Sequence, residues 1–129
     1  MKILLDTHIW LHYLAGNTNL PKELIKIIED KNTECLLSPI SIWEASILVE
    51  KKKIKIKGGF DKWIETALKL FPVTEASITS AIIISIAKLK FKHKDPADQI
   101  IAATSKTYNV PLLTMDKELK KLKWLNTIS

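Results

Sequence analysis

The stretch "HKDPADQIIAATS", residues His93 to Ser105, sets Asp95 and Asp98 three positions apart around Pro96. Three more acids stand at comparable places. Asp6 ends the apolar run "KILLD", Glu44 lies in "SIWEASILVE", and Asp116 follows "LLTM". Several carboxylates in one pocket repel one another, and some would have to take up protons. A divalent cation removes that conflict. Mg²⁺ or Mn²⁺ suits a set of hard oxygen donors lacking histidine and cysteine. Zinc suits it less, because His8, His12 and His93 show no ligand spacing with a cysteine.

Each acid also has a plainer reading. Asp95 fits a helix N-cap with Pro96 in the first helical position, and Asp98 is favoured there by the helix dipole. Glu44 lies three residues after Ser41, the spacing of a capping box. Asp116 can cap a last short helix. Asp6 is harder to explain as a cap, because a carboxylate closing a buried strand needs a partner.

The elements that must position these acids alternate. "KILLD" reads as a buried parallel strand and "THIWLHYLAG" as a short helix stopped by Gly16. "LPKELIKIIEDK" is a helix with Pro21 in its first turn, "ECLLS" a second strand, and "SIWEASILVEKKK" a helix opened by Ser41. "KIKIKGG" alternates before a Gly-Gly break, and "FDKWIETALKL" is amphipathic. "FPVT" is extended, and the isoleucine-rich "EASITSAIIISIAKL" is a helix expected to be buried on most sides. "DPADQIIAATSKTYN" is a capped helix with Asn109 near its end. "VPLLT" is a strand, "MDKELKKL" a last short helix, and "KWL" a candidate edge strand. Strands separated by helices imply crossovers, a mainly parallel central sheet and an α/β/α sandwich of three layers. In such sheets the site lies beyond the carboxyl ends of the strands, where Asp6 and Asp116 fall. Helices that follow strands begin at the same edge, which brings Glu44, Asp95 and Asp98 there too.

The 129 residues fit one domain, 1–129, with a real core. A single cysteine, Cys35, rules out an internal disulfide framework and fits a reducing cytoplasm. The apolar start is cut by Asp6 too early for a signal peptide, and "AIIISIA" is too short to span a membrane. All 20 basic residues are lysine, and the net charge is +6. That balance suits sequence-independent attraction to a phosphate backbone better than bidentate reading of bases. A lysine-biased genome would give the same composition.

"LLDTHIWLHYL", "SPISIWEASIL", "HKDPADQIIAATS" and "LLTMD" together, in this order, resemble the PIN-domain ribonucleases. The likeness is strongest to VapC-type toxins of bacterial toxin–antitoxin pairs. "KIKIKGGFDKWIETAL" before "FPVT" also looks like that family's middle region. The resemblance implies Mg²⁺- or Mn²⁺-dependent endonucleolytic cleavage of RNA. It places Asp6, Glu44 and Asp98 on the family's three acids and Asp116 on a more variable fourth. Asp95 matches an auxiliary or capping position, and Thr7 and Thr114 match hydroxyl positions beside the metal. Gln99 departs from the arginine common there, which bears on substrate contacts but leaves the acids intact. A homodimer and a cognate antitoxin are implied as partners. Lys92 and Lys94, flanking the acids, are the best candidates to hold RNA phosphates, whereas Lys51, Lys52, Lys53, Lys55 and Lys57 read as a solvated surface. Trp10, Trp43 and Trp63 read as core or interface packing, and His8 as structural.

Other classes fit less well. An aspartyl-nucleophile phosphatase would want a second acid where His8 stands. A phospho-receiver domain would want an acidic pair at the end of the first strand. A dinucleotide binder would want a glycine-rich first turn, and the three glycines lie far from Asp6. A catalytically silent PIN-fold module binding nucleic acid or protein has no use for the four acids.

Overall fold

Side-chain alternation along the first strand builds two cores. In β1 (Lys2–Leu5), Ile3 and Leu5 point to one face and Leu4 to the other. The neighbouring β2 (Glu34–Leu37) does the same, with Cys35 and Leu37 on the first face and Leu36 on the second. The first core is closed by Ile9 and Trp10 of α1 (Thr7–Leu14) and by Leu24 and Ile28 of α2 (Lys22–Glu29). The second is closed by Ile101 and Ala102 of α6 (Pro96–Tyr108). The computed structural model, which describes residues 1–16, 19–89, 91 and 95–129, therefore has helices on both faces of its sheet.

The remaining elements are α3 (Pro39–Glu50), α4 (Phe60–Leu70), β3 (Thr74–Glu75), α5 (Ser80–Leu89), β4 (Leu112–Leu113), α7 (Lys117–Lys120) and β5 (Thr127–Ile128). Among the described residues the five strands pair in parallel, in the order β3-β2-β1-β4-β5. The three-layer α/β/α architecture expected from the sequence is the one observed. The chain leaves β1 towards β2 and later returns to β4 on the other side of β1. That reversal opens a crevice between the carboxyl ends of β1 and β4. Leu5 pairs in register with Leu113, so the next residues, Asp6 and Thr114, stand side by side at its floor.

Three local expectations need correction. Helix α3 starts one turn before Ser41: Ser38 is its N-cap, accepting from Ile40 N at 3.2 Å, with Pro39 in the first position. Ser41 and Glu44 make no capping box. The isoleucine-rich helix α5 is not buried on most sides, since only Ile82 is buried while Ile83 and Ile84 are 49% and 59% exposed. The helix packs against α6. "KWL" forms a turn, and the edge strand is Thr127–Ile128, which pairs with β4. The alternating segment "KIKIKGG" runs through bends and irregular backbone after Lys52, which takes a positive φ of 60° just past α3. Helix α6 ends as its sequence suggests, with Asn109 in the left-handed region at φ 54°.

Candidate functional site

Asp6 is the most constrained acid. It occupies the N-cap position of α1, yet its side chain makes no capping bond. Instead Oδ2 accepts from the Thr114 hydroxyl at 2.6 Å, across 108 residues of sequence. Asp6 is 2% exposed, and its Oδ1 is buried with no hydrogen-bond partner among the described residues. Burial pushes its pKa above the ordinary carboxylate value; the Thr114 bond, His8 and the nearby Thr7 backbone N–H pull it down, and Asp116 adds to the rise.

Glu44 reaches the same region from α3. Thr7, the first residue of α1, donates from Oγ1 to Glu44 Oε1 at 2.5 Å. Partial burial raises the Glu44 pKa, opposed by the Thr7 bond and reinforced by the charges of Asp98, Asp95 and Asp6. Asp6 and Glu44 are thus electrostatically coupled, as are Glu44 and the acids opening α6.

Asp95 and Asp98 divide their work as the sequence allows. Asp95 Oδ1 accepts from Ala97 N at 2.9 Å and from Asp98 N at 3.3 Å, so it is the N-cap of α6. Asp98 lies in the first turn, near enough to Glu44 to influence its titration. Asp116 caps α7, with Oδ1 accepting from Glu118 N at 2.8 Å and Leu119 N at 3.1 Å. Its backbone N–H donates to Thr114 Oγ1 at 3.0 Å, so the Thr114 hydroxyl links Asp116 to Asp6.

Two adjoining cavities open on these groups. One of about 340 Å³ is lined by Thr7, His8, Trp43, Glu44 and Asp95, among others. The other, of about 250 Å³, is lined by Asp6, His8, His12, Met115 and Asp116. His8 is exposed on the wall shared by both, not a structural core residue. Trp10 is fully buried and Trp63 packs at the margin of the first core, but Trp43 is 57% exposed beside Glu44. Lys92, His93 and Lys94 lie outside the described residues.

The fit to a divalent cation is mixed. The donors are hard oxygens, and the buried Oδ1 of Asp6, which makes no well-formed hydrogen bond among the described residues, suits a cation. No three His, Cys, Asp or Glu among the described residues stand close enough to hold one ion by themselves. That spacing suits an ion that keeps much of its water, as Mg²⁺ does.

Ser41 is the site residue that sequence reasoning missed. It is fully buried, and its Oγ lies 2.7 Å from Thr7 Oγ1. The signal was present but ambiguous, because a serine three residues before a glutamate also looks like a cap.

An α/β/α sheet with carboxylates gathered at the carboxyl edge of β1 and β4 is the arrangement of a PIN fold. The PIN domain family model matches residues 3–125, and the chain belongs to that family. The sequence has no significant match among curated proteins. Solved structures share the fold along their whole length. VapBC-1 of nontypeable Haemophilus influenzae is similar at TM-score 0.72 and 20% identity, covering 100% of this chain and 98% of its own. VapBC2 of Rickettsia felis, bound to a promoter DNA fragment, gives 0.69 and 18%, covering 99% and 98%. A toxin–antitoxin complex of Klebsiella pneumoniae gives 0.68 and 19%, covering 98% and 96%. At these identities the likeness is one of fold. Among the described residues no helix is long and apolar enough to cross a membrane.

Proposed function

We propose that the chain is an Mg²⁺- or Mn²⁺-dependent endoribonuclease acting as the VapC-type toxin of a toxin–antitoxin pair. The observation that carries this reading is the buried Asp6 carboxylate, with one oxygen tied to Thr114 and the other without a well-formed hydrogen bond among the described residues. Burying a charge in that state is costly unless something cationic meets it. Membership of the PIN family and the toxin–antitoxin setting of the Klebsiella relative support the same reading.

Asp6, Glu44 and Asp98 would hold the cation, directly or through water, with Asp116 helping to hold it or a second one. When bound, the cation lowers the pKa of a water and stabilises charge on phosphoryl oxygens. The protein's own part is orientation. Thr114 fixes Asp6, Thr7 fixes Glu44, and the Asp95 cap fixes the first turn that carries Asp98. Lysines supply phosphate attraction, with Lys92 and Lys94 just ahead of Asp95 and Asp98 in the sequence. Exposed Ile83, Ile84 and Trp43 offer apolar surface for a homodimer or the cognate antitoxin. The reading places the protein in the cytoplasm.

A second reading, a catalytically silent binding module, is favoured by one observation: among the described residues, no three candidate ligands close on a common point. Expression in a host with and without the antitoxin separates the two. A toxin arrests growth and yields defined new RNA ends, and both effects vanish with Asp6→Asn or with antitoxin. Growth arrest that persists in Asp6→Asn would overturn the catalytic reading.

A further inference from the structure

Helical serines and threonines commonly return their hydroxyl proton to a carbonyl one turn back. Ser46, Ser85 and Thr104 do so here, bonding Trp43 O, Ile82 O and Ile100 O at 2.6, 2.7 and 2.6 Å. Ser41 does not. From the first turn of α3 it reaches across to α1 and meets Thr7 Oγ1 at 2.7 Å. Both residues are buried, Ser41 at 0% and Thr7 at 2% exposure.

Counting protons fixes the direction of this pair. A hydroxyl has one proton and two lone pairs, and an ionised carboxylate only accepts. The Thr7 proton is committed to Glu44 Oε1 at 2.5 Å. The proton between Ser41 and Thr7 must therefore come from Ser41. The result is a one-way chain, Ser41 to Thr7 to Glu44. Donation from Ser41 polarises the Thr7 hydroxyl and makes it a stronger donor to the carboxylate.

We propose that Ser41 is a positioning residue for the cation site, acting through Thr7 to fix the Glu44 carboxylate. This rests on the divalent-cation reading given above. Without Ser41, the Thr7 hydroxyl loses its incoming proton and is free to rotate off Glu44. That carboxylate then has to be ordered at the moment the cation binds.

The test is a double-mutant cycle read by Mn²⁺ affinity in calorimetry on the full chain, with thermal midpoints recorded alongside. Ser41→Ala should weaken Mn²⁺ binding roughly three- to tenfold. In a Thr7→Val background, which keeps the shape but lacks the hydroxyl, the same change should weaken it no further. If Ser41→Ala does not fold, Ser41→Cys, a poorer donor of similar shape, takes its place in the cycle. Equal losses in both backgrounds, or a lower thermal midpoint with unchanged affinity, would show that Ser41 only packs α1 against α3. Asp6→Asn separates the levels. If wild type and Asp6→Asn bind Mn²⁺ alike, or neither binds, the cation reading itself fails. If only wild type binds and Ser41→Ala matches it, the inference about Ser41 alone fails.

Discussion

The Thr114 hydroxyl donates to Asp6 Oδ2 at 2.6 Å, joining the ends of β1 and β4 across 108 residues. Thr114 Oγ1 also accepts the Asp116 N–H at 3.0 Å, so one buried hydroxyl orders two of the four candidate acids. Parallel pairing of Leu5 with Leu113 makes this contact almost unavoidable, because it sets the next two residues level.

Removing that hydroxyl while keeping its shape isolates its contribution. Thr114→Val should destabilise the fold by ~2 kcal/mol, the usual worth of a hydrogen bond to a charged group. The buried carboxylate would then have no side-chain donor, and the Asp116 N–H would lose its acceptor. Urea denaturation at neutral pH measures the change, and a loss indistinguishable from zero would mean that water already serves Asp6.

The pH dependence of Asp6 has a definite sign. Burial raises its folded pKa above the ordinary 3.8. A carboxyl raised in this way binds protons more readily when folded than when unfolded. It therefore costs stability at pH values above both pKa values, and that cost fades as pH falls through the raised folded value towards 3.8. Without divalent ions, Asp6→Asn should be more stable than wild type at pH 7, and the gap should narrow on acidification. Glu44, raised from 4.5 mainly by burial, contributes in the same direction. Thermal melts of both proteins across this range check the sign, and a gap that widens in acid would contradict it.

The two aspartates beside Pro96 should behave differently. Asp95 is the cap, accepting two backbone N–H groups, so Asp95→Ala should cost about 0.5–2 kcal/mol of stability with a milder effect on cleavage. Asp98 faces Glu44 electrostatically, so Asp98→Asn should abolish cleavage with little change in stability. Paired denaturation and RNA-cleavage assays on the two variants check this, and the opposite pattern would exchange their roles.

How much of this was legible in the sequence depended on the range of the interaction concerned. The Asp95–Pro96 cap, the Asn109 stop and the Asp6 strand end are local, and residue type alone declares them. The α3 cap was misread because two serines compete. Pro39 decides for Ser38 by fitting the first helical position, which leaves Ser41 free to serve Thr7. The burial of α5 was misread because a run of isoleucines says nothing of how many neighbours pack round it. The two-residue strand Thr127–Ile128 exists only because β4 offers an edge to pair with, a fact about the fold and not about those residues.

The central claim is that Asp6 holds a divalent cation for RNA cleavage. It is tested most directly by incubating purified protein with single-stranded RNA, with Mg²⁺ or with a chelator, for wild type and Asp6→Asn. The account predicts cleavage by wild type that needs Mg²⁺. It predicts a loss of roughly a hundredfold or more in folded Asp6→Asn. Cleavage that survives the chelator, or an Asp6→Asn protein as active as wild type, would contradict it.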